Sequence, residues 1–141
     1  MVSSSVSWSF SQSAAAYVAA LLVIGVLDAV WLGWLARDFY RDALGELMRP
    51  DVRWGPALAF YFAYPAGLLA LALMPMPSDA WHAAARGALV GLVAYGVYDM
   101  TNLATLKGWS VRLSLVDMAW GTFVSATAAL AAWSAWSRFD R

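Results

Sequence analysis

Four long apolar segments constrain the fold of this chain more than any other feature of its sequence. A helix needs about 20 mostly apolar residues to cross the hydrocarbon core of a bilayer, which is about 30 Å thick. Backbone polar groups in lipid have to pair within the segment, and this favours helices. Such segments cover about residues 14–36, 54–73, 80–106 and 111–136. We therefore predict an all-α membrane protein in which residues 1–141 form a single transmembrane domain, a four-transmembrane-helix bundle.

The composition agrees with a lipid environment and excludes several classes of function. Hydrophobic residues make up 62% of the chain and charged residues 13%, and the mean hydropathy is +0.62. Nine basic and nine acidic residues leave no net charge, so we predict no nucleic-acid partner. The lack of cysteine excludes disulfides and thiolate chemistry. We predict the lipid bilayer as the main partner, and neither a metal nor a cofactor.

The connection between the first two apolar segments predicts a short interfacial helix. From Asp38 to Met48, apolar residues such as Phe39 and Leu44 are interspersed with charged ones. An amphipathic helix of this kind lies in the plane of the membrane interface. Five basic side chains in the first and third connections are candidates for binding anionic lipid headgroups: Arg37, Arg41, Arg53, Lys107 and Arg112.

Basic residues are distributed unevenly between the two ends of the predicted bundle. The first and third connections hold six of them, because Arg49 joins the five headgroup candidates. The opposite end holds three, namely Arg86, Arg138 and Arg141. Cytoplasmic loops carry an excess of Lys and Arg. We therefore predict that loops one and three are cytoplasmic and that both termini lie on the other side.

Three aspartates lie inside the apolar segments and are the main candidates for a functional site. A carboxylate near the bilayer centre costs about 2.5–3.5 kcal/mol on insertion scales, so such residues are rarely retained without a role. With a rise of about 1.5 Å per residue, Asp28, Asp99 and Asp117 lie at similar depths, together with Tyr61 on the second segment. All four segments thus place a polar group in one layer. Three carboxyl groups in such a layer cannot all ionise freely, so we expect at least one to carry a proton at neutral pH.

Each aspartate has distinctive neighbours on its own helix. Residues three apart share a helix face, and these neighbours complete the predicted ligand or proton site: Trp31 near Asp28, Thr101 and Asn102 near Asp99, and Trp120 near Asp117. The two Asp-x-x-Trp copies lie on helices of opposite direction, so we expect their tryptophans at different depths. Gly87 and Gly91 form a small-xxx-small pattern typical of close helix contacts. If they face the acids they close the bundle, and if they face away they offer a surface to a partner.

Four sequence blocks around these residues carry a resemblance to a known family. The blocks are LDAVWLG at 27–33, FY at 39–40, YDMTNLAT at 98–105 and LVDMAWGT at 115–122. They resemble the signature blocks of domain-of-unknown-function family 2177, over about residues 21–126. The resemblance implies a small bacterial inner-membrane protein with four spans. It does not imply a reaction.

Three kinds of function fit the acidic layer. The leading hypothesis is the binding or passage of a hydrophobic small molecule or lipid-like ligand. This binding or passage can be coupled to the movement of protons. The second is an intramembrane acid–base enzyme acting on a lipid or isoprenoid, with Asp99 as the acid or base, Asp28 or Asp117 as its partner and Asn102 orienting. The third is an accessory subunit, in a homodimer or larger membrane complex, whose polar network is purely structural.

Overall fold

The computed structural model describes residues 7–139, and every regular element in that range is helical. There are five α-helices in this range: α1 Phe10–Val30, α2 Arg37–Leu44, α3 Trp54–Ala72, α4 Ala80–Thr105 and α5 Val111–Arg138. A π-helical turn, Trp31–Leu35, follows α1, and a 3-10 turn, Gly45–Leu47, follows α2. The all-α prediction is confirmed. Four helices begin and end within a few residues of the predicted segments. Arg141, which entered the prediction of orientation, lies outside the described residues.

Three helical stretches in the described range are long and apolar enough to cross a membrane: Phe10–Leu35, Trp54–Ala72 and Val111–Arg138. The helix α4 is 26 residues long, yet it is not among them. It carries the charged residues Arg86 and Asp99 and polar groups near its end, and these lower its hydropathy. The structure thus supports three spans by length and composition. That α4 is a fourth span stays a prediction.

Local capping explains where the long helices begin. Ser9 caps α1 in a capping box with Gln12. Asp79 caps α4, because its carboxylate accepts the backbone N–H of His82 at 2.9 Å. Ser110 caps α5 by accepting the backbone N–H of Leu113 at 3.0 Å. Such caps satisfy backbone donors that have no partner inside the helix, so the starts of these helices follow from the local sequence.

The closest helix contact in the bundle joins α4 to α5 through small residues. A methyl group added to Gly87 would lie 2.5 Å from the Ala129 Cβ and 2.6 Å from the Ser125 carbonyl oxygen. One added to Gly91 would overlap the carbonyl oxygen of Gly121. Both glycines therefore face α5 and close the bundle. They do not form a spare face for a partner.

The short helix α2 packs under one end of the bundle. It ends at Gly45, whose φ of 52° lies in the left-handed region that favours glycine, so it is shorter than the predicted segment Asp38–Met48. Its Tyr40 is buried against Leu113 at the start of α5. The charged residue Arg41 points outward and pairs loosely with Asp38, at 3.9 Å. The helix is amphipathic as predicted, and its buried face contacts the bundle.

Candidate functional site

A cleft of about 690 Å³ opens between α3 and α4, and all four long helices contribute to its wall. Its sides carry Phe60, Tyr61 and Tyr64 from α3 and Ala94, Tyr95 and Tyr98 from α4. Its floor carries Asp28 from α1 and Asp117 and Trp120 from α5. The volume falls within the range of about 300–1,000 Å³ that is typical of ligand pockets. Six of its twelve lining residues are aromatic and none is basic.

The carboxylate of Asp28 is held by donors from two other helices. The Trp120 indole N–H donates to its Oδ1 at 2.8 Å, and the Tyr61 hydroxyl donates to its Oδ2 at 3.0 Å. The residue is only 4% exposed. These bonds link α1, α3 and α5 at one point and fix the orientation of the carboxylate. The predicted grouping of Asp28, Tyr61 and Trp120 is thus brought together by the fold.

The carboxylate of Asp117 is held from a different direction, by the short helix α2. The Tyr40 hydroxyl donates to Asp117 Oδ1 at 2.7 Å and accepts the Trp31 indole N–H at 3.3 Å. Tyr40 was not among the residues predicted for the site. The signal available in the sequence was the placement of a tyrosine on the apolar face of the amphipathic helix.

The two tryptophans of the Asp-x-x-Trp copies meet, which corrects the expectation of different depths. The rings of Trp31 and Trp120 stack with centroids 4.5 Å apart and an interplanar angle of 7°. Trp120 donates to Asp28, and Trp31 reaches Asp117 through Tyr40. Each tryptophan is therefore linked by hydrogen bonds, directly or through Tyr40, to the aspartate of the other copy. The expectation failed because it compared depths by sequence position and ignored the length of an indole side chain.

Asp99 lies behind the cleft and is fully buried. Neither of its carboxyl oxygens has a hydrogen-bond partner within residues 7–139, and the Asp117 carboxyl group is an electrostatic neighbour of Asp99. The packing explains this register: Tyr95 rests on Gly121, so Asp99, one turn further along α4, lies level with Asp117, one turn earlier on α5. Two carboxyl groups can form a hydrogen bond only if one of them carries a proton.

Two predicted members of the site do not join it. The Thr101 hydroxyl donates back to its own helix, to the carbonyl oxygens of Val97 at 2.6 Å and Tyr98 at 3.0 Å, and the residue is exposed. The Asn102 side chain lies near Tyr98, one turn earlier on α4, and makes no hydrogen bond to Asp99. Both predictions relied on proximity along the helix. Rotation of about 100° per residue turns these side chains away from the acid.

Sequence reasoning also missed much of the aromatic lining. Tyr64 shares a hydrogen bond with Ser125 across the bundle, at 2.6 Å, and Tyr95 packs directly on Gly121. Both line the cleft with Phe60 and Tyr98. Phe60 and Tyr64 stack with centroids 5.3 Å apart. A signal was present, since Phe60 and Tyr64 are spaced four residues apart on one helix face, but spacing alone does not separate a cleft from a lipid-facing surface.

The five headgroup candidates lie at the surface near one end of the bundle. Arg37, Arg41, Arg53, Lys107 and Arg112 are all exposed. The Arg112 guanidinium lies over the Phe39 ring, 5.3 Å from its centroid. In the part of the chain that the structure describes, no Lys or Arg forms an ion pair with Asp28, Asp99 or Asp117. The two ion pairs found there are Arg41–Asp38 and His82–Asp79, so the polar partners of the cleft acids are neutral.

Comparison with known proteins identifies the family. Residues 13–134 match the family described as predicted membrane protein (DUF2177), in agreement with the resemblance of the sequence blocks. A search of curated proteins and a search of solved structures each gave no match. Because the family match covers most of the chain, this protein belongs to the DUF2177 family of predicted membrane proteins.

Proposed function

We propose that this protein binds a small hydrophobic or lipid-like ligand in the cleft between α3 and α4. The observation that carries the proposal is the combination of a cavity of about 690 Å³ with two carboxyl groups, Asp28 and Asp117, in its floor. Apolar pockets with a few convergent polar groups are typical ligand sites. Acids retained within membrane segments commonly mark ligand and ion routes.

The route into the cleft is lateral, from the bilayer. Residues on its rim, such as Phe60 on α3 and Tyr98 on α4, are exposed on the outside of the bundle. The contact between α4 and α5 is closed by Gly87 and Gly91, so a molecule has no comparable entry on that side. A ligand dissolved in the acyl chains can thus reach Asp28 and Asp117 without crossing the bundle.

The proposal includes α4 as a fourth membrane span. At about 1.5 Å per residue its 26 residues extend about 39 Å, enough to cross the hydrocarbon core. Asp99, its most costly residue in lipid, is fully buried by the neighbouring helices. Arg86 near its start donates to the carbonyl oxygen of Pro75, at 2.7 Å, in a connection at one end of the bundle. We place the protein in a bacterial inner membrane with loops one and three cytoplasmic, following the bias of the basic residues.

Proton exchange is part of the same proposal. The Asp99–Asp117 contact needs one proton to become a hydrogen bond, so a ligand that displaces this proton couples its own binding to proton release. The other titratable groups around Asp117 within residues 7–139 are Tyr40 from α2, Tyr95 and Tyr98 from α4 and Asp28 from α1. Release of protons on ligand binding is therefore expected, and a pH indicator in a weakly buffered sample measures it.

The geometry favours binding over the hypothesis of an acid–base enzyme. That hypothesis assigned the acid or base to Asp99 and the orienting role to Asn102. Asp99 is fully buried and does not line the cleft, and Asn102 contacts Tyr98. A proton donor or acceptor has to be within hydrogen-bond reach of the reacting group. The two acids that do line the cleft are already held by tyrosine and tryptophan donors.

Native mass spectrometry with a blocking variant tests the proposal. Ala94→Trp fills the cleft from the α4 side, where Ala94 forms part of the wall. Val93→Trp is the matched control, because Val93 is exposed on the same helix and does not line the cleft. We expect the protein released from nanodiscs to retain a bound lipid or small molecule, and Ala94→Trp alone to lose it. Equal retention in both variants, or no retained molecule in the unmodified protein, would contradict the proposal.

A further inference from the structure

We infer that the ligand of the cleft carries a positive charge, as an amine or quaternary ammonium group attached to a hydrophobic body. The inference rests on the proposed function and names the chemical class of its ligand. Two independent properties of the cleft support it: its acids, which no cation of residues 7–139 compensates, and its aromatic walls.

The acids of the cleft have hydrogen bonds but no counter-charge from residues 7–139. The donors to Asp28 are the Tyr61 hydroxyl and the Trp120 indole, and the donor to Asp117 is the Tyr40 hydroxyl. All of these donors are neutral. Buried charges in proteins are normally paired with an opposite charge, and in a membrane an unpaired carboxylate is especially costly. A ligand cation would supply the missing charge.

The basic side chains of residues 7–139 do not supply it. None of the twelve residues that line the cleft is basic. Arg112 is the basic residue nearest to Asp117 along α5, and its guanidinium is directed to the Phe39 ring of α2, 5.3 Å from the centroid. Lys107 and Arg53 are exposed. No rearrangement of a neighbouring side chain is therefore needed to make room for an external cation.

The walls are suited to a cation as well. Aromatic faces attract ammonium groups through their quadrupole, most strongly for tryptophan and when the site is desolvated. The cleft is lined by Tyr61, Tyr64 and Tyr95 at its sides and by Trp120 beside the carboxyl groups of its floor. Sites lined by several aromatic rings are a known arrangement for quaternary ammonium ligands. A purely neutral lipid would have no positive charge to pair with the carboxylates of Asp28 and Asp117.

A pair of probes that differ only in charge tests the inference. The probes are nonyltrimethylammonium and its neutral isostere, in which carbon replaces nitrogen, both tritium-labelled. The full-length protein is placed in nanodiscs of diglycosyl diacylglycerol, a lipid with no ammonium group and no charge, and empty nanodiscs correct for partitioning into lipid. We expect the cation to bind at least about tenfold more tightly than the isostere.

Variants of the two acids localise the effect. Asp28→Asn and Asp117→Asn are each expected to reduce cation binding about tenfold relative to binding of the neutral isostere measured in the same variant. The neutral probe therefore reports that the cleft of each variant is intact. Asp51→Asn is the matched control, because it removes one carboxylate from an exposed loop and is expected to change neither probe.

The outcomes separate this inference from the proposed function. If both probes bind equally and Ala94→Trp abolishes both, the cleft is a ligand site and the inference about charge is overturned. If neither probe binds above the level of empty nanodiscs, both the inference and the proposed function are overturned. If cation selectivity persists in both aspartate variants, the charge is recognised elsewhere and the inference is likewise wrong.

Discussion

Replacing Gly91 with alanine tests the close approach of α4 and α5 on which the acidic cleft depends. The added methyl group would overlap the carbonyl oxygen of Gly121 and would lie 2.6 Å from the Ser125 hydroxyl oxygen and 2.7 Å from its Cβ. A carbonyl oxygen belongs to the backbone of its helix, so it can move away only if a section of α5 moves with it. Such a shift would also separate Asp99 from Asp117.

Gly96→Ala is the matched control on the same helix. Its methyl group would meet the flexible end of Met118 at 3.4 Å, an ordinary van der Waals contact. Both substitutions gain about the same helix propensity, on the order of 1 kcal/mol, so this contribution cancels when the variants are compared. The remaining difference is the overpacking at Gly91, which costs about 1–3 kcal/mol. We expect Gly91→Ala to be less stable than Gly96→Ala by this amount.

Unfolding in mixed micelles, titrated with dodecyl sulfate and followed by circular dichroism, measures the difference. The same samples are tested for cation binding, which we expect to weaken in Gly91→Ala and to persist in Gly96→Ala. Equal free energies of unfolding for the two variants would refute the reasoning, because the helices would then have room for the methyl group.

Two further predictions concern the ends of the bundle. Tyr40→Phe keeps the ring but removes the hydroxyl that donates to Asp117. The free energy that protects the amides of α2 from exchange should therefore fall by about 0.6 kcal/mol, the average for a hydrogen bond between membrane helices. Unchanged protection would show that apolar packing alone holds α2. At the start of α4, the hydrogen bond from the backbone N–H of His82 holds the pKa of Asp79 below its ordinary value of 3.8. The cap is therefore fully effective above that value and is lost as the pH falls through the lowered pKa, so amide exchange in the first turn of α4 should accelerate only in acid. Asp79→Asn, which can cap without a charge, should lack this acceleration.

The Asp-x-x-Trp repeat has a simple geometric interpretation in the folded protein. Two antiparallel helices that carry the same short pattern are related locally by a two-fold axis, so each tryptophan approaches the acid of the other helix. Trp120 donates directly to Asp28, whereas Trp31 reaches Asp117 through Tyr40. The asymmetry leaves Asp28 with two neutral donors and Asp117 next to a second acid. The two carboxyl groups of the cleft thus have different surroundings and can have different tasks.

The π-helical turn after α1 is part of this arrangement. It begins at Trp31, and the backbone N–H of Ala36 donates to the Trp31 carbonyl oxygen at 2.7 Å. Turns of this kind are rare and are frequently found at functional sites. The extra residue resets the helical phase between Asp28 and α2, which lets Tyr40 turn towards Asp117. Nothing in the local sequence predicted this turn, because its alternative, a regular helix, has the same apolar pattern.

Features that depend on local or additive properties could be predicted from the amino-acid sequence alone. Apolar segment length identified the positions of the four long helices. The cost of a carboxylate in lipid singled out Asp28, Asp99 and Asp117 before any contact was known. Each of these conclusions needs only the residues of one segment and the properties of the surrounding medium.

Which side chains share the site depends on the packing of the helices against one another. Rotation about each helix axis and the register of α4 against α5 are fixed by packing between glycines and small residues from distant parts of the chain. That register brings Asp99 to Asp117, turns Thr101 out to the surface and leaves a cleft beside α3. Depth along a helix can be counted from the sequence at about 1.5 Å per residue. The direction of a side chain around the bundle depends on contacts among all the helices at once.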